Sequence, residues 1–299
     1  MKKNIIYLIL ILFSTFLNAN EKIVLQLKWF HQFQFAGYYA AKEKGFYDEV
    51  GLNVEIRQRD LKYNNIDEVI NGNAQYGVAD SILILYRLKQ QPVVIVSPIF
   101  QHSPSVFISL KKSNISSVYE LNNKDILFYP NDTDGFSLLA MIKKFDLNVN
   151  LIRERHKDDY VKLINNEVDL MPAYIANEPF LLKEKGYDGV ITKYGEYVVD
   201  MYGDMLFTNE DEAKNNPIRV EKFKEATLKG WKYALENKEE IIQLINEKYS
   251  KEKSIEHLRY EANAIDSLIN KDVTPLGYLD QGRIRYISEM YEYYGLTES

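Results

Sequence analysis

Short apolar segments alternate with amphipathic ones along the chain from about residue 20, and this pattern predicts an α/β fold. The segment KIVLQLKW has the character of a strand, and AGYYAAKEKGFY has helical spacing that ends at Gly45. The next segment, LNVEIRQR, alternates apolar and polar positions as a half-buried strand does. Strands that alternate with helices at this spacing are typical of parallel sheets covered by helices.

The strand–helix rhythm occurs twice. The first run ends with PVVIVSPIF, and the second begins with SVFISL and continues through DILFYP, LIRER and LMPAYI. Short extended joins fall near residues 100–110 and 190–205. We therefore expect two α/β lobes joined by two crossover segments with a ligand cleft between them. One lobe would contain residues 20–104 and 203–299, and the other would contain residues 105–202.

From about Asn216 the pattern becomes helical, and Pro217 suits the first turn of a helix. Apolar residues then recur near helical spacing, which predicts helices that pack back onto the first lobe. These positions are Phe223, Ala226, Gly230, Trp231, Ala234, Ile241, Ile242 and Ile245.

The first nineteen residues have the layout of a secretory signal peptide. A basic start, MKKN, is followed by the apolar run IIYLILILF and a short polar exit in which Ala19 is a plausible cleavage point. The apolar run is short for a membrane span, which needs about 20 residues. An uncleaved anchor helix is the alternative. The pattern predicts export to the periplasm.

Composition narrows the function classes. The chain has no cysteine, so disulfides, thiolate metal sites and a cysteine nucleophile are excluded. Its formal net charge is −6, with both signs interspersed, which argues against nucleic acid as a partner because phosphate binding needs a basic surface. No motif indicates a cofactor, a phosphate-binding loop or a nucleophilic serine.

Ligands of open parallel sheets bind beyond the carboxyl ends of the strands. Six predicted loops lie at such ends, and they are rich in aromatic, amide and carboxylate groups but contain no Arg or Lys. An arrangement of this kind suits a flat polar heterocycle, because rings stack on it and polar groups bind its edge. The loops are WFHQFQF (29–35), ADS (79–81), FQHSPS (100–105), YPNDTDG (129–135), AYIANEP (173–179) and MYGD (201–204).

Several of these residues have structural alternatives. Trp29 could be a core aromatic at a strand end, and Glu178 could be a surface carboxylate. Asp134 suits a helix cap, a role compatible with ligand contact. His31 and His102 could share a metal, but two histidines distant in sequence without an obvious third ligand favour hydrogen-bonding roles.

The segment LKWFHQFQFAGYYAAKEKGFYDEVGLNVEI resembles the opening signature of the thiamine-pyrimidine-precursor and sulfonate-binding-like superfamily of ABC transporter periplasmic substrate-binding proteins. The segments YGVADS, FQHSPS, NEP and YGD continue the likeness, which covers essentially the whole chain after residue 20. The resemblance implies a type II periplasmic-binding-protein fold whose two lobes close on a ligand about a hinge. Members include transport proteins for thiamine pyrimidine precursors or alkylsulfonates, and sensory domains of membrane receptors.

An enzyme branch of this superfamily, the thiamine pyrimidine synthases, has a catalytic histidine two positions before the glycine of its Gly-x-Tyr motif and a cysteine-rich iron motif. Here Phe35 stands two positions before Gly37, and there is no cysteine. We therefore expect ligand capture without turnover, with a synthase-like enzyme as an alternative.

The resulting hypothesis is a monomeric solute-binding protein that delivers a thiamine pyrimidine precursor to an inner-membrane ABC permease. A sensory module for a membrane receptor remains an alternative, and an alkylsulfonate or taurine is a second choice of ligand because the loops lack cations. The expected ligand-binding residues are Trp29, His31, Gln32, Gln34, Gly37, Tyr38, Asp80, Ser81, His102, Asn131, Asp134, Tyr174, Glu178, Tyr202 and Asp204.

Overall fold

The computed structural model describes residues 20–129, 133–153 and 158–297. The expected signal peptide and Asn131 lie outside the described residues. For Asp134 only the helical backbone is described. No helix among the described residues has the length and apolar character needed to cross a membrane.

Five strands form the first sheet in the order β2-β1-β3-β10-β4. Neighbours β1, β2 and β3 are parallel, whereas β10 runs antiparallel between β3 and β4. The strands are β1 (Glu21–Gln26), β2 (Leu52–Arg57), β3 (Tyr76–Ala79), β4 (Val93–Pro98) and β10 (Met205–Asn209).

The strands between residues 105 and 192 form a second group. β5 pairs antiparallel with both β8 and β9, while β6 and β7 pair in parallel. A parallel bridge from Ile126 to Leu170 connects the β6–β7 pair to the chain leading into β8. These strands are β5 (Ser105–Leu110), β6 (Asp125–Leu127), β7 (Asn150–Ile152), β8 (Met171–Tyr174) and β9 (Gly189–Thr192).

Helices cover the sheets, and in the described part of the chain four short 3₁₀ helices lie among the loops at Phe33–Phe35, Lys111–Ser113, Val118–Leu121 and Tyr194–Glu196. In chain order the α-helices are α1 (Ala36–Glu43), α2 (Phe46–Glu49), α3 (Asn65–Ile70), α4 (Ile82–Leu88), α5 (Thr133–Phe145), α6 (Tyr160–Ile164), α7 (Glu178–Glu184), α8 (Glu210–Asn215), α9 (Pro217–Glu236), α10 (Lys238–Lys248), α11 (Ile255–Ile269) and α12 (Gln281–Tyr293).

The local sequence explains many of the element boundaries. In β2 the side chains of Leu52, Val54 and Ile56 are buried while Asn53 and Glu55 are exposed, as the alternating pattern predicts. Side chains cap several helices by accepting a backbone N–H, a group that a helix start leaves without an internal partner. The capping residues are Asn64, Asn209, Ser254 and Asp280.

The C-terminal helices pack on the first sheet, as the sequence predicts, and all eight apolar positions between Phe223 and Ile245 are buried. Glycines allow α1 and α9 to approach closely. A Cβ atom at Gly37 would lie 2.1 Å from the ring of Trp231, and one at Gly230 would lie 2.2 Å from the carbonyl oxygen of Gly37. This packing holds α1 against α9, and α1 directly follows the loop after β1.

Candidate functional site

A cavity of about 450 Å³ lies between the carboxyl ends of the first-sheet strands and the strands of the second group. Its volume is within the range of roughly 300–1,000 Å³ that small-molecule sites have. Four of the six loops predicted from the sequence, those after β1, β3, β6 and β8, contribute residues to it, whereas no residue of 100–105 or 201–204 borders it. The residues around it are Lys28, Trp29, Gln32, Gln34, Arg59, Leu61, Lys62, Tyr63, Asn64, Asn65, Ile66, Ala79, Asp80, Ile82, Phe128, Tyr129, Arg153, Asp159, Tyr160, Met171, Pro172, Ala173, Tyr174, Asn177 and Glu178.

A charged network forms the floor of the cavity. Lys28 Nζ lies 2.6 Å from Asp80 Oδ2, 2.7 Å from the hydroxyl oxygen of Tyr174 and 3.5 Å from Asp204 Oδ1. Burial alone would lower the pKa of Lys28, but Asp80, Tyr174 and Asp204 hold this pKa well above its ordinary value. Lys28 is therefore a fixed cation whose charge is balanced by carboxylates rather than offered to the cavity.

Asp204 does not border the cavity, yet it connects three residues that do. Its Oδ1 accepts from the Tyr174 hydroxyl at 3.2 Å and faces Lys28, and its Oδ2 accepts from Gln34 Nε2 at 2.7 Å. Gln34 Oε1 in turn accepts from Gln32 Nε2. Burial raises the pKa of Asp204, although Lys28 and Gln34 favour its ionised form.

Glu178, at the start of α7, belongs to a second series of polar contacts behind the cavity wall. Its carboxylate accepts from the backbone N–H of Tyr174 and from Asn177 Nδ2, both at 2.6 Å, while burial raises its pKa. Asn177 Oδ1 accepts from Lys253 Nζ at 2.5 Å. Lys253 also pairs with Glu261, whose Oε2 accepts from the backbone N–H of Phe33 at 2.8 Å. This series of contacts connects α7 to α11 and to the loop after β1.

Aromatic rings form much of the remaining surface. Trp29 is half-buried and packs edge-on against Phe30, with ring centroids 5.2 Å apart. Its other neighbours include the first-sheet core, so Trp29 is both a packing residue and part of the cavity wall. Across the cavity the hydroxyl of Tyr129 donates to Asp159 Oδ2 at 2.6 Å. Tyr63, Phe128, Tyr160 and Tyr174 complete the aromatic set.

Six of the expected site residues border the cavity: Trp29, Gln32, Gln34, Asp80, Tyr174 and Glu178. Asp204 lies directly behind them. The others that the structure describes lie elsewhere, in positions with a different physical role, and they are His31, Gly37, Tyr38, Ser81, His102 and Tyr202.

Three of these belong to the segment from the loop after β1 into α1. His31 Nδ1 is 2.9 Å from the hydroxyl of Tyr39, and burial lowers its pKa. The backbone of Gly37 and the ring of Tyr38 both lie against Trp231, and Tyr38 is fully buried. Gly37 therefore permits the close approach of α1 to α9 rather than to a ligand.

The other three lie near the crossover segments. Ser81 Oγ donates to the carbonyl of Tyr202 at 2.8 Å, and the Tyr202 hydroxyl accepts from the backbone N–H of Asp280 at 2.9 Å. His102 Nδ1 is 2.7 Å from Asp200 Oδ2. Within residues 20–129, 133–153 and 158–297, no three His, Asp or Glu side chains are grouped as metal ligands.

The six loops predicted from the sequence contain no Arg or Lys, so a site without cations was expected. The structure corrects this expectation, because basic side chains border the cavity. Lys28 is the last residue before the WFHQFQF loop, and Arg153 directly follows β7. Arg59 and Lys62 lie in the loop after β2, which is not among the six predicted loops. Including the residues that flank each loop, and the loops that follow β2 and β7, would reveal these cations from the sequence.

Comparison with solved structures identifies the fold as that of periplasmic binding proteins, as the sequence resemblance implies. The aliphatic sulphonate binding protein SsuA of Escherichia coli superposes with a TM-score of 0.68 over 93% of this chain and 94% of its own, at 13% identity. The alkanesulfonate-binding protein SsuA of Xanthomonas axonopodis, bound to MOPS, gives 0.71 over 93% and 94%, at 11% identity. The nitrate-binding protein NrtA of Synechocystis gives 0.66 over 92% and 81%, at 13% identity.

The chain belongs to the NMT1/THI5-like family, whose model matches residues 32–241. A curated relative, the riboflavin-binding protein RibY of Chloroflexus aurantiacus, is 24% identical over 235 residues. The match covers 75% of this chain and 65% of the relative's length.

Proposed function

We propose that this protein is a monomeric, periplasmic solute-binding protein that captures a flat nitrogen heterocycle and delivers it, unchanged, to an ABC permease. The lobes would be residues 20–104 with 203–299 and residues 105–202, closing on the ligand. The observation that carries the proposal is a cavity whose walls are aromatic and whose floor is a network of amides and carboxylates around Lys28. Such a site stacks on a ring and binds the hydrogen-bonding groups at its edge.

The floor of the cavity favours a neutral heterocycle over a sulfonate, although the lining as a whole is mixed in charge. Lys28 is held between Asp80 and Asp204, so its charge is already compensated. Among the other lining residues Arg59, Lys62 and Arg153 are basic, and Asp159 and Glu178 are acidic. A sulfonate buried against the floor would meet the carboxylates of Asp80 and Asp204, whereas ring N–H and amino groups would find acceptors there.

Two ligands within this class are supported. The sequence resemblance supports a thiamine pyrimidine precursor, with its amino group and single ring. A flavin is the second candidate, because the cavity volume exceeds what one six-membered ring fills and because a relative of 24% identity bears the name of a riboflavin-binding protein.

A thermal-shift panel tests the proposal. The chain without residues 1–19 is mixed with 4-amino-5-hydroxymethyl-2-methylpyrimidine, thiamine, riboflavin, taurine and alkylsulfonates. Binding to the folded state alone raises the stability by about 2.7 kcal/mol at a hundredfold excess over Kd. Stabilisation by a heterocycle supports the proposal. Stabilisation by sulfonates alone, or by nothing in the panel, contradicts it.

Tryptophan fluorescence provides an independent readout because the chain has two tryptophans in different environments. Trp29 borders the cavity, while Trp231 is fully buried under α1. Ligand-dependent quenching should therefore disappear in Trp29→Phe and persist in variants that leave Trp29 in place. A chromatographic check that the ligand is recovered unchanged separates capture from turnover.

A further inference from the structure

Three side chains form a directed chain of hydrogen bonds, and two of these residues border the cavity. Asp204 Oδ2 accepts from Gln34 Nε2 at 2.7 Å, and Gln34 Oε1 accepts from Gln32 Nε2. We call this chain the amide relay. All three residues are at least 97% buried, and Gln32 and Gln34 border the cavity.

The carboxylate of Asp204 determines the direction of the relay. An ionised carboxylate can only accept hydrogen bonds, so Gln34 must turn its amide nitrogen towards Asp204 and its oxygen towards Gln32. Gln32 must then turn its nitrogen towards Gln34. Gln32 Oε1 is left as a buried acceptor without a hydrogen-bond partner. An unpartnered buried acceptor is costly, and in native proteins it usually has a functional explanation.

We propose that the amide relay sets the hydrogen-bonding polarity of this wall and that the bound ligand completes it by donating an N–H to Gln32 Oε1. Asp204 is then a positioning residue for specificity, although it does not itself border the cavity. The inference rests on the proposed function and narrows its ligand class to heterocycles that present an N–H donor at this wall. The exocyclic amine of an aminopyrimidine and the ring N3–H of a flavin both meet this requirement.

Reversal of the relay provides a specific test. In Asp204→Asn the side-chain oxygen should remain on the side of Lys28, because an ammonium group cannot accept a hydrogen bond. The new amide nitrogen would then face Gln34 and turn both glutamines over. Gln32 would present an N–H donor in place of an acceptor, so the variant should favour a ligand with an acceptor at this edge.

The measurement compares the Kd of 4-amino-5-hydroxymethyl-2-methylpyrimidine with that of its 4-methoxy analogue, which has an acceptor and no N–H at this position, for wild type and variants, by titration calorimetry. If wild type binds riboflavin instead, riboflavin and 3-methylriboflavin, which lacks the N3–H, are compared in the same way. Wild type should prefer the donor-bearing ligand by roughly ten- to a hundredfold, as expected when a buried acceptor is satisfied in one complex alone. Asp204→Asn should lower or, for the pyrimidine pair, invert this ratio.

Asp200→Asn is the matched control, because it removes a carboxylate from the same crossover segment but from an exposed position paired with His102. It should retain the wild-type ratio. If Asp204→Asn does not fold, Gln34→Met cuts the relay at its centre and should bring the ratio close to one.

The outcomes separate this inference from the proposed function. Equal binding of both members of a pair by wild type, or an unchanged ratio in Asp204→Asn and Gln34→Met, overturns the relay while heterocycle capture stands. Failure of wild type to bind any of these heterocycles overturns both.

Discussion

The ammonium nitrogen of Lys28 lies 2.7 Å from the hydroxyl oxygen of Tyr174, and this contact joins the end of β1 in the first sheet to the end of β8 in the second group of strands. The same hydroxyl donates to Asp204 at 3.2 Å. The floor of the cavity is therefore built from residues of both groups of strands. Its polar groups keep their positions only while the first sheet and the second group of strands stay in this arrangement.

Tyr174→Phe should destabilise the protein by roughly 1–3 kcal/mol, because it removes a half-buried hydroxyl that bonds to two charged groups. Lys28 keeps its carboxylate partners, so the fold should persist. Urea denaturation of both proteins measures the change. Tyr119→Phe is the control, since Tyr119 is 69% exposed and its substitution should change the stability by less than about 0.5 kcal/mol. Equal effects of the two substitutions would mean that the Lys28–Tyr174 contact contributes nothing.

Truncation of the cavity wall should weaken ligand binding while leaving the fold intact. Trp29→Ala and Glu178→Ala should each reduce the affinity by roughly 1–4 kcal/mol, the range found for residues central to binding sites. Calorimetry with the heterocycle that stabilises wild type measures the loss, and circular dichroism monitors the fold. Tyr119→Ala, which removes an exposed aromatic ring that does not border the cavity, should bind as wild type does. Wild-type affinity in both wall variants would place the ligand elsewhere.

The sequence predicted the elements better than the environments of single side chains. Regular patterns such as the alternation in β2 and the apolar spacing in α9 identify strands and helices because burial follows the period of the backbone. The aromatic and amide loop after β1 was also found, since such a composition is unusual in a turn. Gly37 and Tyr38 fit the same loop signature, but their neighbour Trp231 is distant in sequence and no local pattern reveals it.

Asp204 and Lys28 illustrate the remaining limits. Asp204 was expected to touch the ligand, whereas the structure places it behind Gln34, because tertiary packing decides whether a residue at a strand end faces the cavity or supports a neighbour. Lys28 falls within the apolar segment KIVLQLKW, which predicts a strand through that residue, whereas β1 ends at Gln26 and leaves Lys28 at the edge of the cavity. Contacts between residues far apart along the chain thus determined what sequence reasoning missed.

Gly230→Ala should destabilise the protein by roughly 1–3 kcal/mol or more, because the new methyl group would overlap the Gly37 carbonyl at 2.2 Å and the Ala41 side chain at 2.6 Å. Both neighbours belong to α1, so the substitution must push α1 and α9 apart. Thermal and urea unfolding measure the loss. In Gly195→Ala the nearest atom would be 3.6 Å away, an ordinary contact, and the stability should hardly change. An equally stable Gly230→Ala would contradict close helix packing at this point.

His257 should make the protein less stable in mild acid. Its ring is buried against Phe180, with centroids 4.4 Å apart, and Lys253 Nζ lies 3.4 Å from Nε2. Burial, together with the charge of Lys253, lowers the pKa of His257 to about 3, against 6.5 for an unburied histidine. Between these values the unfolded chain binds a proton that the folded protein does not. Stability is therefore fully retained above the unfolded pKa and is lost as the pH falls, by about 1.4 kcal/mol per pH unit.

The matching measurement compares wild type with His257→Gln, which keeps a polar side chain but does not titrate. Urea denaturation at about pH 7.5 and about pH 5 should show wild type losing roughly 2 kcal/mol more than the variant over this interval. Other titrating groups, including the buried Glu261 whose pKa burial raises, are common to both proteins and largely cancel in the difference. The same acid sensitivity in both proteins would mean that His257 accepts a proton in the folded state, and that the ring is then stabilised by Glu261, 3.6 Å from Nε2, against the repulsion of Lys253.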